Sequence, residues 1–326
     1  MTTRAKSLLC IVSLFILFSP PIASAKVKYN IGSVYGPGAP VHFGLEKFKE
    51  LVETRSHKEI EILIHAGGAM GGERDVFEAM STGALEMGAM GSSDIGMFFP
   101  KYLVFEVPYV LRDVDHFWKF WKGPVGKEIN DVVLEKKNVM TVGIVYRGAR
   151  FLTANRPIRA PEDVKGLKLR LPELKVWVKI WETLGALPVV VAFPEVYMAL
   201  KTGIAEAQEN PLESIYSYKF YEAQKYLIGT RHIHATCKYQ MSKTWFDKLN
   251  PGHQKLILQA WKDATDYANN MAVAFDTKLL KDLQTGGMTL IEPDVAAFRA
   301  KVQPVLNELS KTFWVPGLYE KITAIK

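Results

Sequence analysis

The sequence predicts an α/β protein of two lobes with a cleft between them and one long helix spanning both. Three observations predict it. Short strand-like runs alternate with amphipathic helical ones in β-α-β-α-β order. The same kind of alternation starts again in a second stretch of chain. A segment of about 35 residues near the C-terminus has neither proline nor glycine beyond its first turn.

In chain order, 27–32 reads as a strand. The run 42–54 reads as a helix whose buried stripe is Phe43, the Lys47-Phe48 pair and the Leu51-Val52 pair. The run 60–65 is a second strand alternating Ile60, Ile62 and Ile64; 75–82 is helical; 85–90 is a third strand among small residues. The second unit has strands at 138–146 and 167–171, the latter after Pro161 and Gly166. A helix follows at 174–184, with Trp177, Ile180, Trp181 and Leu184 at helical spacing, then a strand at 188–192, a helix at 195–202 and a short strand at 204–209. Asn250 can cap the long segment, Pro251 suits its first turn and Gly286-Gly287 ends it. A helix of that length measures roughly 50 Å, more than one small domain. It either crosses both lobes or breaks near Asn269-Asn270, and the unbroken form is the expectation. With no internal repeat and no low-complexity linker, the lobes are joined by strands and by this helix.

The N-terminus reads as a secretory signal. Arg4 and Lys6 form a positive start, 7–18 is apolar apart from Ser7 and Ser13, Pro20-Pro21 stops any helix, and Ala23-Ser24-Ala25 is a small-x-small cleavage pattern. The run is shorter than the roughly 18–20 apolar residues a span needs, so cleavage after Ala25 and a periplasmic location are expected. Cys10 leaves with that segment and only Cys237 remains, so an internal disulfide is excluded. At 48% hydrophobic, a chain of this length can hold together by its core alone. Without Arg4 and Lys6 the net charge falls from +7 to +5, a mild excess with no Lys/Arg run. Nucleic acid is therefore not an expected partner.

Catalytic signatures are scarce. The chain has no G-x-S-x-G, no P-loop, no H-E-x-x-H and no G-x-G-x-x-G after a strand, and no cofactor is expected. His232 and His234 share a strand face near Cys237, but no third and fourth metal ligands accompany them. Gly67 to Gly72 precedes a helix near Glu73; it suits either an anion at the helix N-terminus or a plain strand-to-helix turn. The arginines carry more information. Arg147 and Arg150 follow a strand, and Arg170 lies inside the apolar run 167–171. An arginine at the end of an α/β strand points toward the ligand crevice, where its guanidinium can fork onto a carboxylate. The alternative is a structural salt bridge.

These residues also carry a resemblance. The stretch Arg159-Ala160-Pro161-Glu162-Asp163-Val164-Lys165-Gly166-Leu167-Lys168-Leu169-Arg170-Leu171-Pro172 resembles the central motif of DctP-type solute-binding proteins of TRAP transporters. In the same family order follow Phe193-Pro194-Glu195-Val196-Tyr197, then Gln208-Glu209-Asn210-Pro211, then the run 219–227. Gly71-Gly72-Glu73-Arg74 and Phe105-Glu106-Val107-Pro108-Tyr109 fit upstream. The resemblance covers nearly the whole mature chain. It implies a periplasmic-binding-protein-like fold, with lobe I at 26–147 plus about 236–275 and lobe II at 148–235 plus about 276–326, following the signal at 1–25. It implies a receptor, not an enzyme, that closes on a small organic acid and hands it to the small and large permease subunits.

Residue by residue, Arg170 matches the arginine that pairs with the ligand carboxylate and Arg150 a second arginine near it. Asn210 matches the asparagine that hydrogen-bonds that carboxylate, Phe193 an aromatic packed on the ligand, and Glu73 a contact to its far end. Affinity also calls for burial against Trp177 or Tyr218 and a polar contact at Gln208. The chain departs from the family pattern at Arg147, Pro194 and Ala207. It also departs at Gly91, near which sialic-acid binders place an acidic residue; that argues against sialic acid. The acid itself stays open: Arg147 facing the cleft favours a second negative group, Glu73 facing it a hydroxylated or amino-bearing tail. Two other readings are an exported sensor docking on a signalling receptor and an exported enzyme with Glu73 or His65 as base.

Overall fold

The computed structural model describes residues 26–91 and 93–326, the side chains of Val273 and Asp276 excepted; the expected export signal, 1–25, lies outside the described residues. The first unit runs β1 (Val27–Ser33), α1 (Pro40–Arg55), β2 (Ile60–His65), α2 (Glu73–Thr82) and β3 (Met87–Met90). Helices α3 (Ser93–Phe98), α4 (Val114–Lys122) and α5 (Pro124–Lys137) lead to β4 (Val139–Ala154). The second unit runs β5 (Lys168–Leu171), α6 (Lys175–Thr183), β6 (Leu187–Val190), α7 (Val196–Lys201), β7 (Ala207–Pro211), α8 (Leu212–Ser217) and β8 (Tyr226–Ile228). Then come β9 (His234–Ser242), α9 (Lys243–Phe246), α10 (Pro251–Thr285), β10 (Thr289–Ile291), α11 (Val295–Thr312) and α12 (Leu318–Thr323).

The strands join in the order β2-β1-β3-β9-β4-β7-β5-β6, with β8 and β10 branching from β4. Strands β1, β2 and β3 are mutually parallel, as are β5, β6 and β7. Strand β4 belongs to both halves: 139–149 pairs antiparallel with β9, and 150–154 with β7 and β8. It is longer than the sequence suggests because its apolar pattern continues past a bulge between Tyr146 and Ala149.

The bulge has a purpose that the register makes plain. In a regular strand, residues three apart face opposite sides. One extra residue restores the same side, and Arg147 and Arg150 both reach the same cavity. Gly148, at φ +91°, takes the backbone conformation this requires.

Helix α10 is unbroken, capped by the Asn250 side chain, which accepts from the His253 amide at 2.8 Å. Its first half buries Ile257, Ala260, Trp261 and Ala264 in the core beneath α1 and β1, where Trp261 stacks on Phe48 at 3.8 Å. Its second half buries Leu279 and Leu283 in the core of the other half. Asn269, where a break was conceivable, instead clamps β4: its Oδ1 accepts from the Tyr146 amide at 2.9 Å and its Nδ2 donates to the Ile144 carbonyl at 2.9 Å. Cys237 is buried in β9, and burial pushes its thiol up.

Close approach of α1 to this helix depends on Gly44. A Cβ there would stand 2.8 Å from the Ala268 Cβ and against the Tyr239 hydroxyl, which donates to the Val41 carbonyl at 2.8 Å. Gly44→Ala is therefore expected to destabilise by about 1–3 kcal/mol through overpacking, read as a shifted urea midpoint with unchanged slope.

Candidate ligand-binding site

Half of the cavity wall comes from the C-terminal ends of parallel strands, where open α/β sheets place their crevice. Strand β1 delivers Val34 and Tyr35, β3 Gly91, β5 Arg170 and Pro172, β6 leads to Phe193, and β7 carries Asn210. Arg147 and Arg150 come from β4, Trp177 from α6, and Glu106 from the connection before α4. Together they line a cavity of about 40 Å³. Past Glu73, Arg170, Pro172 and Phe193 the space continues into a cleft bordered by Gly68, Arg74, Glu173 and Pro194.

The three arginines differ in how they are held. Arg147 is paired: its Nε and Nη2 donate to Glu213 Oε1 at 2.9 and 2.5 Å, Nη2 also reaches Ser214 Oγ at 2.7 Å, and the guanidinium lies 4.4 Å from the Tyr35 ring centre. Arg150 is paired too. Its Nε donates to Glu209 Oε2, its Nη2 to Glu209 Oε1 at 2.8 Å and to Asn210 Oδ1 at 3.1 Å, and it sits 5.0 Å from the Trp177 ring centre. Burial alone would raise the Glu209 carboxyl, but the Arg150 charge and hydrogen bonds from His232 and Arg150 outweigh it and hold it near 2.

Arg170 has no such partner. Its Nε donates to the Val191 carbonyl at 2.9 Å, its guanidinium lies 5.8 Å from the Phe193 ring centre, and Nη1 and Nη2 bond no described residue. At 2% exposure this is a buried cation with no carboxylate bonded to it among the described residues. Burial first, then the Arg150 charge, hold it down to about 10 against the pull of Glu209 and Glu73.

The other expected residues fall into two groups. Asn210, Phe193, Glu73 and Trp177 line the cavity with the arginines. Trp177 is oriented by its Nε1, which donates to the Glu106 carbonyl at 2.6 Å. Glu73, in the first turn of α2, accepts from the Gly91 amide at 2.6 Å and from Ser93 Oγ. Gln208 and Tyr218 do not line the cavity. Gln208 is fully buried behind it; its Oε1 accepts from Asn210 Nδ2 at 2.6 Å and its Nε2 donates to Thr153 Oγ1 at 2.9 Å, so it fixes the asparagine. Tyr218 packs edge-on against Phe193 at 4.7 Å and donates its hydroxyl to the Val34 carbonyl across the cleft.

The glycine-rich loop follows the turn alternative. Gly67, Gly68 and Gly71 all have positive φ, and a Cβ on Gly68 would come within 2.5 Å of Pro194 Cγ. The first turn of α2 already carries Glu73 and Asp75, the latter accepting from the Gly72 amide at 2.8 Å, so negative charge occupies the helix start. Of the two histidines, His232 is buried against Glu209 and Thr230, and His234 bonds the Tyr146 hydroxyl at 2.9 Å. His65 is held by Asn30 Oδ1 at 2.9 Å and is not on the cavity wall.

Among the wall residues with no role assigned from sequence, Tyr35 and Glu106 carry the most chemistry. Tyr35 follows the end of β1, a position that strand polarity alone marks as crevice. Glu106 is 3% exposed and its Oε2 has no hydrogen-bond partner among the described residues. A lone acid inside the apolar run 103–111 was the available signal.

The chain is similar to known proteins over nearly its whole length. Residues 31–312 match the family described as bacterial extracellular solute-binding protein, family 7 (DctP). The sialic acid-binding periplasmic protein SiaP of Vibrio cholerae is 27% identical over 314 residues, covering 96% of this chain and 98% of that protein. A TRAP periplasmic solute-binding protein from Sulfurospirillum deleyianum, solved with bound succinate, superposes with a TM-score of 0.88 at 27% identity, covering 93% of this chain and 100% of the other. One from Roseobacter denitrificans, solved with L-galactonate, gives 0.86 at 27% identity, covering 92% and 98%. The two-lobed α/β architecture, the helix across both halves and the match over most of the chain lead to one conclusion: the chain belongs to the DctP family of TRAP-transporter solute-binding proteins.

Proposed function

We propose that this chain is exported, cleaved after Ala25, and serves in the periplasm as the receptor of a TRAP transporter. It captures a small organic acid by its carboxylate and delivers it to the membrane subunits. The observation that carries the reading is Arg170: of the three cavity arginines it alone lacks a carboxylate among the described residues. A ligand carboxylate supplies one. The bound succinate and L-galactonate of the two structural neighbours support the class.

The arginine is not sufficient by itself. Micromolar binding requires roughly 8 kcal/mol, and one charge-assisted hydrogen bond nets about 1.5–3 kcal/mol. Packing against Phe193 and Trp177, and hydrogen bonds at Asn210, Glu73 and Ser93, supply the remainder. Because Arg147 is already neutralised by Glu213, a second negative group on the ligand is not demanded. Because Glu73 faces the cavity, a hydrogen-bond donor on the far end is favoured. A hydroxylated monocarboxylate meets both conditions.

Closure has its own contacts. Arg74 reaches Glu173 across the cleft at 2.9 and 3.2 Å, Tyr218 bonds Val34, and Phe193 lies 6.2 Å from Tyr35. The Arg74–Glu173 pair is solvent-exposed, so Arg74→Ala should raise Kd by no more than about fivefold, mainly through faster release in stopped-flow measurements.

The direct test is a thermal-shift screen of mature protein against succinate, L-galactonate, D-erythronate, D-glucuronate and sialic acid, with mass spectrometry on the recovered ligand. The expected result is a stabilising, chemically unchanged acid other than sialic acid. Turnover of that acid would overturn the receptor reading.

A further inference from the structure

We propose that Glu106 is a specificity-determining ligand contact: its carboxyl enters the cavity protonated and donates a hydrogen bond to an oxygen of the captured acid, beside the carboxylate held by Arg170. The inference rests on the carboxylate reading above and deepens it.

Glu106 is fixed at both ends of the residue. Its carbonyl accepts from Trp177 Nε1 at 2.6 Å, and its Oε1 accepts from the Thr236 amide at 3.3 Å. Its Oε2 is buried without a partner among the described residues. A buried carboxyl oxygen without a partner carries the cost of desolvation, and this one belongs to a residue of the cavity wall, where a ligand oxygen can meet it.

The cations around Glu106 are committed elsewhere. From β4, Arg150 gives its hydrogen bonds to Glu209 and Asn210, and Arg147 to Glu213 and Ser214. From β9, Lys238 is paired with Asp94, itself also held by Gln240 at 2.9 Å. From β5, Arg170 donates to Val191. From α6, Trp177 offers its ring to Arg150. No cation bonds Glu106, and their combined field does not offset its burial, which lifts the carboxyl to about 8. At neutral pH the group therefore holds a proton. Since Oε1 accepts from a backbone amide, the proton belongs on Oε2.

A protonated carboxyl at this place selects by what it offers. It donates to a carboxylate, hydroxyl or oxo oxygen. An ammonium group could meet only its lone pairs or force out its proton, and would stand beside the Arg150 guanidinium that repels it. The site thus takes acids oxygenated near the carboxylate in preference to α-amino acids. An arriving anion strengthens the hold on the proton, so binding and protonation favour each other.

The experiment is calorimetric titration of mature protein with L-galactonate, D-erythronate and succinate from pH 6 to pH 9.5. The sign follows from linkage. Affinity is full below about pH 8 and falls as the empty site loses its proton above it. Wild-type Kd should rise about tenfold between pH 7 and pH 9, with about one proton taken up per ligand at pH 9. Between pH 7 and pH 9 the neighbouring shifted groups lie to either side: burial lowers His232 and His234 below the usual histidine range and raises Tyr35, and Arg170, near 10, loses its proton above the interval. Glu106→Gln keeps an acceptor for Thr236 and places an amide donor where Oε2 stood. It should bind at pH 7 within about threefold of wild type and show a flat profile. Its melting temperature reports whether it folds, and the wild-type profile stands independently of any variant. A flat wild-type profile, or a tenfold rise retained in Glu106→Gln, would overturn the inference while leaving the receptor reading intact. Failure of all three acids to bind at any pH would overturn both.

Discussion

Arg170→Met is expected to weaken binding of the captured acid at least a hundredfold while leaving the ligand-free melting temperature unchanged or raised. Two charge-assisted hydrogen bonds from the free Nη1 and Nη2 are worth about 1.5–3 kcal/mol each, and a hundredfold in Kd is about 2.7 kcal/mol. The stability half of the result is the more discriminating. The guanidinium is buried with no carboxylate bonded to it among the described residues and is held down to about 10 against an ordinary 12.5. That difference corresponds to a destabilisation on the order of 3 kcal/mol. Methionine fills similar space without the charge, so its loss relieves the apo state. A structural salt bridge would behave in the opposite way and lower the melting temperature. Calorimetric binding and thermal unfolding of the same preparation separate the two, and retained tight binding would remove Arg170 from the site.

Arg150→Ala should be strongly damaging to folding. Arg150, Glu209 and His232 form one buried cluster, with Glu209 fully inaccessible. Removing the arginine strands the carboxylate with His232 alone, and breaking a buried pair costs about 3–5 kcal/mol. A melting-temperature loss of roughly 10 °C follows for a chain of this size, and binding falls with it because Asn210 loses the donor on its Oδ1. The same cluster sets an acid limit. Glu209 is held near 2 against an ordinary 4.5, a depressed value. Its contribution, on the order of 3 kcal/mol, is present above about pH 4.5 and is lost as pH falls toward 2. Glu209→Gln should flatten that part of the stability curve in urea unfolding between pH 5 and pH 2.5.

The contrast between these arginines shows what a sequence discloses. Arg170 stood out because a charge inside an apolar strand needs a reason, and strand polarity placed it at the crevice. The Arg150–Glu209 pair was out of reach: the partners are 59 residues apart and meet only when β4 and β7 align. Likewise the alternation in β1 and β2 was legible, whereas β9 hides itself. Thr236, Lys238 and Gln240 are polar yet fully buried, because Trp121 of α4 and Asp94 of α3 cover their face of β9. The helices between β3 and β4 carry Glu106 on their approach, and no spacing rule links that residue to arginines some forty positions on. Gln208 and Tyr218 show the converse. Their types suit a ligand, but one spends its amide holding Asn210 and the other its hydroxyl on the far wall.

Helix α10 has a further consequence, for register. It is one continuous screw anchored at three heights: Trp261 against Phe48, Asn269 on β4, and Leu279 with Leu283 in the second core. A single residue inserted after Asn270 would turn everything beyond it by about 100° and advance it by about 1.5 Å. Leu279 and Leu283 would swing away from their core while Trp261 stayed in place. Length in this helix is thus far less negotiable than composition: its exposed positions can change freely, but its residue count phases one half of the molecule to the other.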